Sequence, residues 1–204
     1  MDHTTHVAGP GHADDHHDAG TGLTAMAASA TLHCLTGCAI GEIAGLVIGT
    51  ALGLHDALTI ALSVGLAFAF GYTLSTFPLL GAGLAAGAAF GVVLAADTLS
   101  ILTMEVVDNA VMALVPGAMD AGLTRPVFWV GMALALAVAF GAALPVNRYL
   151  LARGKGHALT HHYHHAGGPP TGLRRLVPDI PTAVLATGIA AFLGGALLVS
   201  VAAA

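Results

Sequence analysis

Apolar residues in this chain fall in blocks separated by short polar breaks. Each block is long enough to cross hydrocarbon, which takes about 20 residues. The first runs from Ala25 to Leu54 and is closed by His55-Asp56. The second runs from Ala57 to Phe77, where Pro78 reads as the turn. A third, Leu79 to Val115, is 37 residues long and stops at Pro116-Gly117. The fourth covers Val127 to Leu151 and the fifth Thr182 to Ala203. The third block exceeds what one perpendicular helix needs, so it is either a single tilted helix or two spans broken at Ala96-Asp97-Thr98. No Gly-Pro or Asn-Gly turn separates its halves, which favours the single helix. The expected fold class is therefore all-α: a polytopic transmembrane helix bundle of about five spans with a long third helix.

Charge is scarce. Only 8% of the 204 residues are charged, and Lys plus Arg number six. Soluble domains carry roughly 25% charge, and a nucleic-acid surface needs clustered cations, so both classes are excluded. Residues 1–24 form a His/Asp-rich segment without a basic leader region, which reads as a disordered tail and not as a cleaved signal. The organisation that follows is a tail (1–24), a four-span core (25–151), a His-rich basic loop (152–181) and a final transmembrane helix (182–204). Arg148, Arg153, Lys155, Arg174 and Arg175 flank or fill that loop. The positive-inside rule then places the loop, and with five spans the N-terminus, in the cytoplasm. Phe128-Trp129 and Tyr149 are expected near opposite membrane interfaces, as aromatic belts. Ala67–Gly71 also resembles Ala137–Gly141, which chance explains in a chain so rich in Ala and Gly.

The segment His33 to Glu42 carries the densest chemistry. On a helix Cys34, Cys38 and Glu42 recur every four residues and share a face. His33, Gly37, Gly41 and Gly45 form the neighbouring stripe, whose glycines let another backbone approach. Two thiols, an imidazole and a carboxylate beside a close-packed helix can bind an ion, with thiolates favouring copper(I) or zinc. The structural alternative is cysteine as a small buried hydrophobe, but a carboxylate inside a span points to function. Both cysteines lie on one regular helix, so a disulfide between them is not expected.

A second constellation sits on the third span. Met104, Asp108 and Met112 recur every four residues, Glu105 and Asn109 form a second such pair, and Asp97 lies below them. Together they offer soft and hard ligands to a cation, unless Glu105 and Asp108 lie on a helix end that protrudes from the membrane. The third feature is histidine outside the spans. His157, His161, His162, His164 and His165 crowd the loop after the fourth span, and such tracts capture metals. Phosphate-binding glycine loops, nucleophile elbows, haem motifs and zinc-protease helices are all missing, so an enzyme is not the expected reading.

The run His33 to Glu42, together with Thr103–Asn109, Pro116–Asp120 and Pro145–Arg148, resembles the bacterial membrane family called domain of unknown function 4396. The resemblance covers about residues 25 to 165. It implies a small polytopic protein of the bacterial inner (plasma) membrane and brings no established activity or substrate. Its relatives' association with copper-handling domains implies metal handling. His33, Cys34, Cys38, Glu42, Glu105, Asp108 and Asn109 stand at the matching positions.

The expected function is handling of a transition-metal cation by a permease for copper or another soft ion. His33, Cys34, Cys38 and Glu42 form one station and Met104, Glu105, Asp108 and Asn109 a second, with the His-rich loop as peripheral capture. Copper or zinc is the expected ion, the bilayer the expected surroundings, and a homodimer the expected assembly, since five helices are few for a secondary transporter. The alternative is a non-transporting scaffold or an accessory subunit of a metalloenzyme system.

Overall fold

A computed structural model describes residues 15–81, 83–153 and 181–204. Five helices account for nearly all of them: α1 (Asp15–Ala51), α2 (Asp56–Gly81), α3 (Ala86–Leu114), α4 (Pro126–Ala152) and α5 (Thr182–Ala202). α1 from Gly22, α2, α4 and α5 are each long and apolar enough to cross a membrane, and the two segments of α3 together make the fifth candidate span. The chain is thus an all-helical bundle of membrane-spanning type. Its outward surface is apolar, with Leu99, Leu102, Val106, Val130, Leu134, Val184 and Leu198 exposed. Its carboxyl groups at Glu42, Asp97, Glu105 and Asp108 are buried. Lipid as the surrounding solvent accounts for that inversion.

Two boundaries differ from the sequence reading, and glycine explains both. α2 does not stop at Pro78 but continues to Gly81. Proline removes one backbone donor, which a helix in lipid tolerates where neighbouring groups satisfy the freed carbonyl; α4 likewise runs through Pro145. The actual stop is Gly83, at φ +101°. Its N–H bonds Leu80 O and that of Leu84 bonds Leu79 O, the paired bonds of a Schellman cap. Gly53 closes α1 in the same way at φ +64°, with bonds to Thr50 O and from Leu54 to Gly49 O. The apolar run read as 79–115 is therefore the end of α2, a turn, and a 29-residue α3.

α3 bends by 52° between Ala86–Ala95 and Asp97–Leu114. The Thr98 hydroxyl donates back to the Leu94 carbonyl and accepts from the Tyr72 hydroxyl of α2 at 2.8 Å. Back-bonding of this kind loosens the helical ladder and bends helices. The suspected break at Ala96-Asp97-Thr98 is thus a sharp bend inside one helix, α3.

Helix registers follow from small residues. Gly37, Gly41, Gly45 and Gly49 of α1 oppose Gly71, Ala67, Ser63 and Thr59 of α2, so the pair is antiparallel. A Cβ added at Gly37 would stand 2.5 Å from the Gly71 Cα, and one at Gly49 would stand 2.6 Å from the Thr59 side chain. Close packing of backbones is the chief adhesive between helices in lipid. The partner stripe on α2, every fourth residue from Thr59 to Gly71, was not read from the sequence, nor was Gly49. By contrast Gly141 faces open space, so the two similar pentapeptides occupy unlike surroundings. The main core lies where α1, α3 and α4 meet, around Cys34, Cys38, Ile101, Met104, Met112, Trp129 and Met132.

The aromatic expectation is corrected for the start of α4. Phe128 and Trp129 are buried, not turned to the membrane interface. The Trp129 indole N–H donates to the Leu123 carbonyl at 2.7 Å, and its ring meets Phe128 and Phe192 edge-on. The pair thus ties the α3–α4 loop and α5 to the bundle. Tyr149 is exposed, with the Arg153 guanidinium 4.5 Å from its ring centre.

Candidate functional site in the seam between α1 and α3

Four-residue spacing puts Cys34, Cys38 and Glu42 on the α1 face turned toward α3. Gly37 and Gly41 occupy the adjoining stripe against α2. Each of the three polar residues meets an acid on α3. The Cys34 side chain interacts with Asp97 and lies 3.6 Å from the Ser75 hydroxyl of α2. Cys38 interacts with Glu105, and Glu42 with both Glu105 and Asp108. Residue numbers rise together along both helices, so α1 and α3 are parallel and the contacts form a ladder of three rungs. Its thiols are free.

All six members are buried within the bundle. Glu105 and Asp108 do not protrude beyond the bundle. They pair with Cys38 and Glu42, which lie roughly three and a half and two and a half helical turns before the end of α1, at about 3.6 residues per turn. Several of their oxygens have no hydrogen-bond partner: Glu42 Oε2, both carboxyl oxygens of Glu105, and Asp108 Oδ1. The interactions across the rungs are electrostatic and partly hydrogen-bonded, and they leave these particular oxygens open. An unmade hydrogen bond at a buried polar group costs about 1–3 kcal/mol, so this seam is expensive to keep.

Two other expected members join less closely. Asn109 is half-buried, and its Nδ2 donates to the Glu105 carbonyl of its own helix at 2.9 Å. Met104 is buried in the core. His33 stands apart: its Nδ1 donates to the Ser29 carbonyl at 2.9 Å, and no contact links it to the ladder. Among the described residues, no three His, Cys, Asp or Glu side chains are arranged to hold a metal ion. His157, His161, His162, His164 and His165 lie outside the described residues.

The ladder ends at a cavity of about 540 Å³. Glu42, Asp108 and Asn109 line its inner end, and Asp56, Asp120 and Gly122 line the side formed by the α1–α2 turn and the α3–α4 loop. The rung farthest from it, at Cys34 and Asp97, lies toward the opposite end of the bundle. Below it Asn147 of α4 donates to the Thr31 hydroxyl at 2.8 Å, and that hydroxyl donates to the Ala27 carbonyl at 2.7 Å. Ser29 and Thr182 share a 2.7 Å hydrogen bond between α1 and α5. Sequence reasoning missed Ser75, Thr31 and the role of Asn147. The continued four-residue stripe 59–63–67–71–75 was the available signal for Ser75.

A family model described as Domain of unknown function (DUF4396) matches residues 24–156. The chain belongs to this family. The DUF4396 segment contains the whole ladder, the glycine stripe, the cavity and the Asn147–Thr31 bond, while α5 follows it. No curated protein and no solved structure matches the chain.

Proposed function

We propose that this protein is a membrane permease for a transition-metal cation, copper or another soft ion, which crosses along the seam between α1 and α3. The observation that supports this reading most is the set of buried carboxyl oxygens there without a hydrogen-bond partner. Acidic groups inside membrane helices are costly, and they mark ion pathways where they occur. The ladder offers its donors in pairs and not as a closed cage. That suits transit, because a conducted ion needs several sites that are weak enough to release it.

The order of donors gives the pathway a direction in chemistry. Carboxylates at Glu42 and Asp108 meet an ion arriving from the cavity. The thiols of Cys38 and Cys34 follow, and thiolates favour copper(I) or zinc. The distribution of cations supports an inner-membrane protein with residues 152–181 and the N-terminus in the cytoplasm. In that orientation the cavity opens outward, and the histidine tracts receive or deliver the ion on the cytoplasmic side. Five helices are few for a transporter, which supports a homodimer.

A second reading, a scaffold or an accessory subunit, is favoured by the tightness of the α1–α2 contact and by the Asn147–Thr31 and Ser29–Thr182 bonds. Those bonds lock helices well enough by themselves. They leave the open carboxyl oxygens without a purpose, so the permease reading is preferred.

The test is uptake of Cu(I) and Zn(II) into liposomes holding the purified full-length protein. Cys34→Ser combined with Cys38→Ser is expected to slow uptake at least tenfold. Uptake at the parent rate in that variant would overturn the site, and no uptake of either ion by the parent would overturn the permease.

A further inference from the structure

The cavity above Glu42 and Asp108 has a lining that the seam does not require. Met112, Met119 and Met132 contribute to it, half of the six methionines in the chain. Four carboxylates join them, Glu42, Asp56, Asp108 and Asp120, and no Lys, Arg or His lines the cavity. We infer that this cavity is a capture site for a soft monovalent cation, Cu(I) or its redox-inert analogue Ag(I), held by the thioethers of Met112, Met119 and Met132. Glu42 and Asp108 offset its charge. The inference deepens the permease reading by naming which cations enter, and it rests on that reading for where they go next.

Three features carry it. Glu42 and Asp108 are only 7% and 5% exposed, line this cavity, and present Glu42 Oε2 and Asp108 Oδ1 without hydrogen-bond partners. A bound cation supplies the missing partner. Thioethers carry no proton to lose and select soft ions, whereas sites for magnesium or calcium are built from oxygen alone. The methionines also combine one exposed thioether, Met119 at 46%, with two buried ones, Met112 at 6% and Met132 at 4%. At Gly131 an added Cβ would stand 2.9 Å from the Ala118 Cβ and 3.2 Å from the Met112 sulfur, so glycine lets α3 and the loop after it, with the Met112 thioether, pack close to α4.

Methionine also serves as plain core filler, and the experiment separates the two roles. Full-length protein in detergent, labelled with ¹³C at its methionine methyls, is titrated with Ag(I) in chloride-free buffer. The methyl signals of Met112, Met119 and Met132 are expected to shift while that of Met26 stays. Binding at the histidine tracts moves none of them. Leucine conserves methionine's volume, so Met112→Leu, Met119→Leu and Met132→Leu together are expected to weaken silver affinity at least tenfold and to spare Zn(II) binding. Met119→Leu alone, at an exposed position, serves if the triple variant does not fold, with an expected loss of at least threefold. Unmoved methyl signals, or parent-like silver affinity in these variants, would overturn the capture site. A silver response without metal uptake in liposomes would refute the permease and leave the capture site standing. Uptake without a methyl response would do the reverse.

Discussion

Gly41 of α1 lies against the backbone of Ala67 on α2 with no space for a methyl group between them. The contact is the tightest point of a stripe that fixes the register of both helices. Gly41→Ala must push two backbones apart, and overpacking of this kind costs about 1–3 kcal/mol. The expected result is a lower melting temperature in detergent, followed by size-exclusion chromatography after heating. Gly141→Ala, at a position with nothing within 4 Å, should melt with the parent.

Glu42 and Asp108 give the opposite signature. Each has a buried oxygen without a partner, so neutral amides of the same shape relieve the burial of charge and put at stake only the contact these two carboxyls make with each other. Glu42→Gln and Asp108→Asn are expected to leave the melting temperature unchanged or raise it, while cation uptake falls at least tenfold. Loss of stability with unchanged uptake would instead identify these carboxyls as helix locks.

The Asn147–Thr31 hydrogen bond joins α4 to α1 beneath the ladder. Hydrogen bonds between membrane helices average about 0.6 kcal/mol and reach about 1.7. Because Thr31 also bonds the Ala27 carbonyl, a coupling near the upper figure is expected. A double-mutant cycle with Asn147→Leu and Thr31→Val, read by denaturant unfolding in detergent, measures it. Uptake should change little, since neither residue lines the cavity.

The bundle also makes a topological prediction. The α1–α2 turn and the α3–α4 loop both border the cavity, while Arg153 caps α4 at the other end of the bundle. Leu52→Cys and Thr124→Cys should react with an impermeant thiol reagent from one face of oriented vesicles, and Arg153→Cys only from the other. Native Cys34 and Cys38 are buried and should stay unlabelled.

The number and class of the helices were legible because lipid imposes a length on every span. Helix ends were less so. Pro78 is a familiar breaker, yet the turn is made by Gly83, whose left-handed conformation no apolar count reveals. The α1 half of the candidate site could be read from its spacing, since Cys34, Cys38 and Glu42 repeat with the helix. Its α3 half was named but not paired, because steps of eight and three residues from Asp97 to Glu105 to Asp108 follow no single helical repeat. The bend at Ala96 falls within the longer step. His33 was drawn in by adjacency alone, and one residue of rotation takes it off the face that Cys34 occupies. Phe128 and Trp129 were misplaced because end-of-helix aromatics look alike in sequence whether they meet lipid or plug a loop.

α1 touches every other helix of the bundle: glycine faces α2, thiol and acid face α3, and hydroxyls face α4 and α5. It is also made before all of them. Roughly sixty residues separate Glu42 from its partners on α3, which is about 3–12 seconds of synthesis at 5–20 residues per second. During that interval the most polar surface of the bundle must wait without the helix that covers it. Biogenesis of this protein therefore passes through an α1–α2 pair whose α3-facing side, Glu42 included, stays open until α3 arrives.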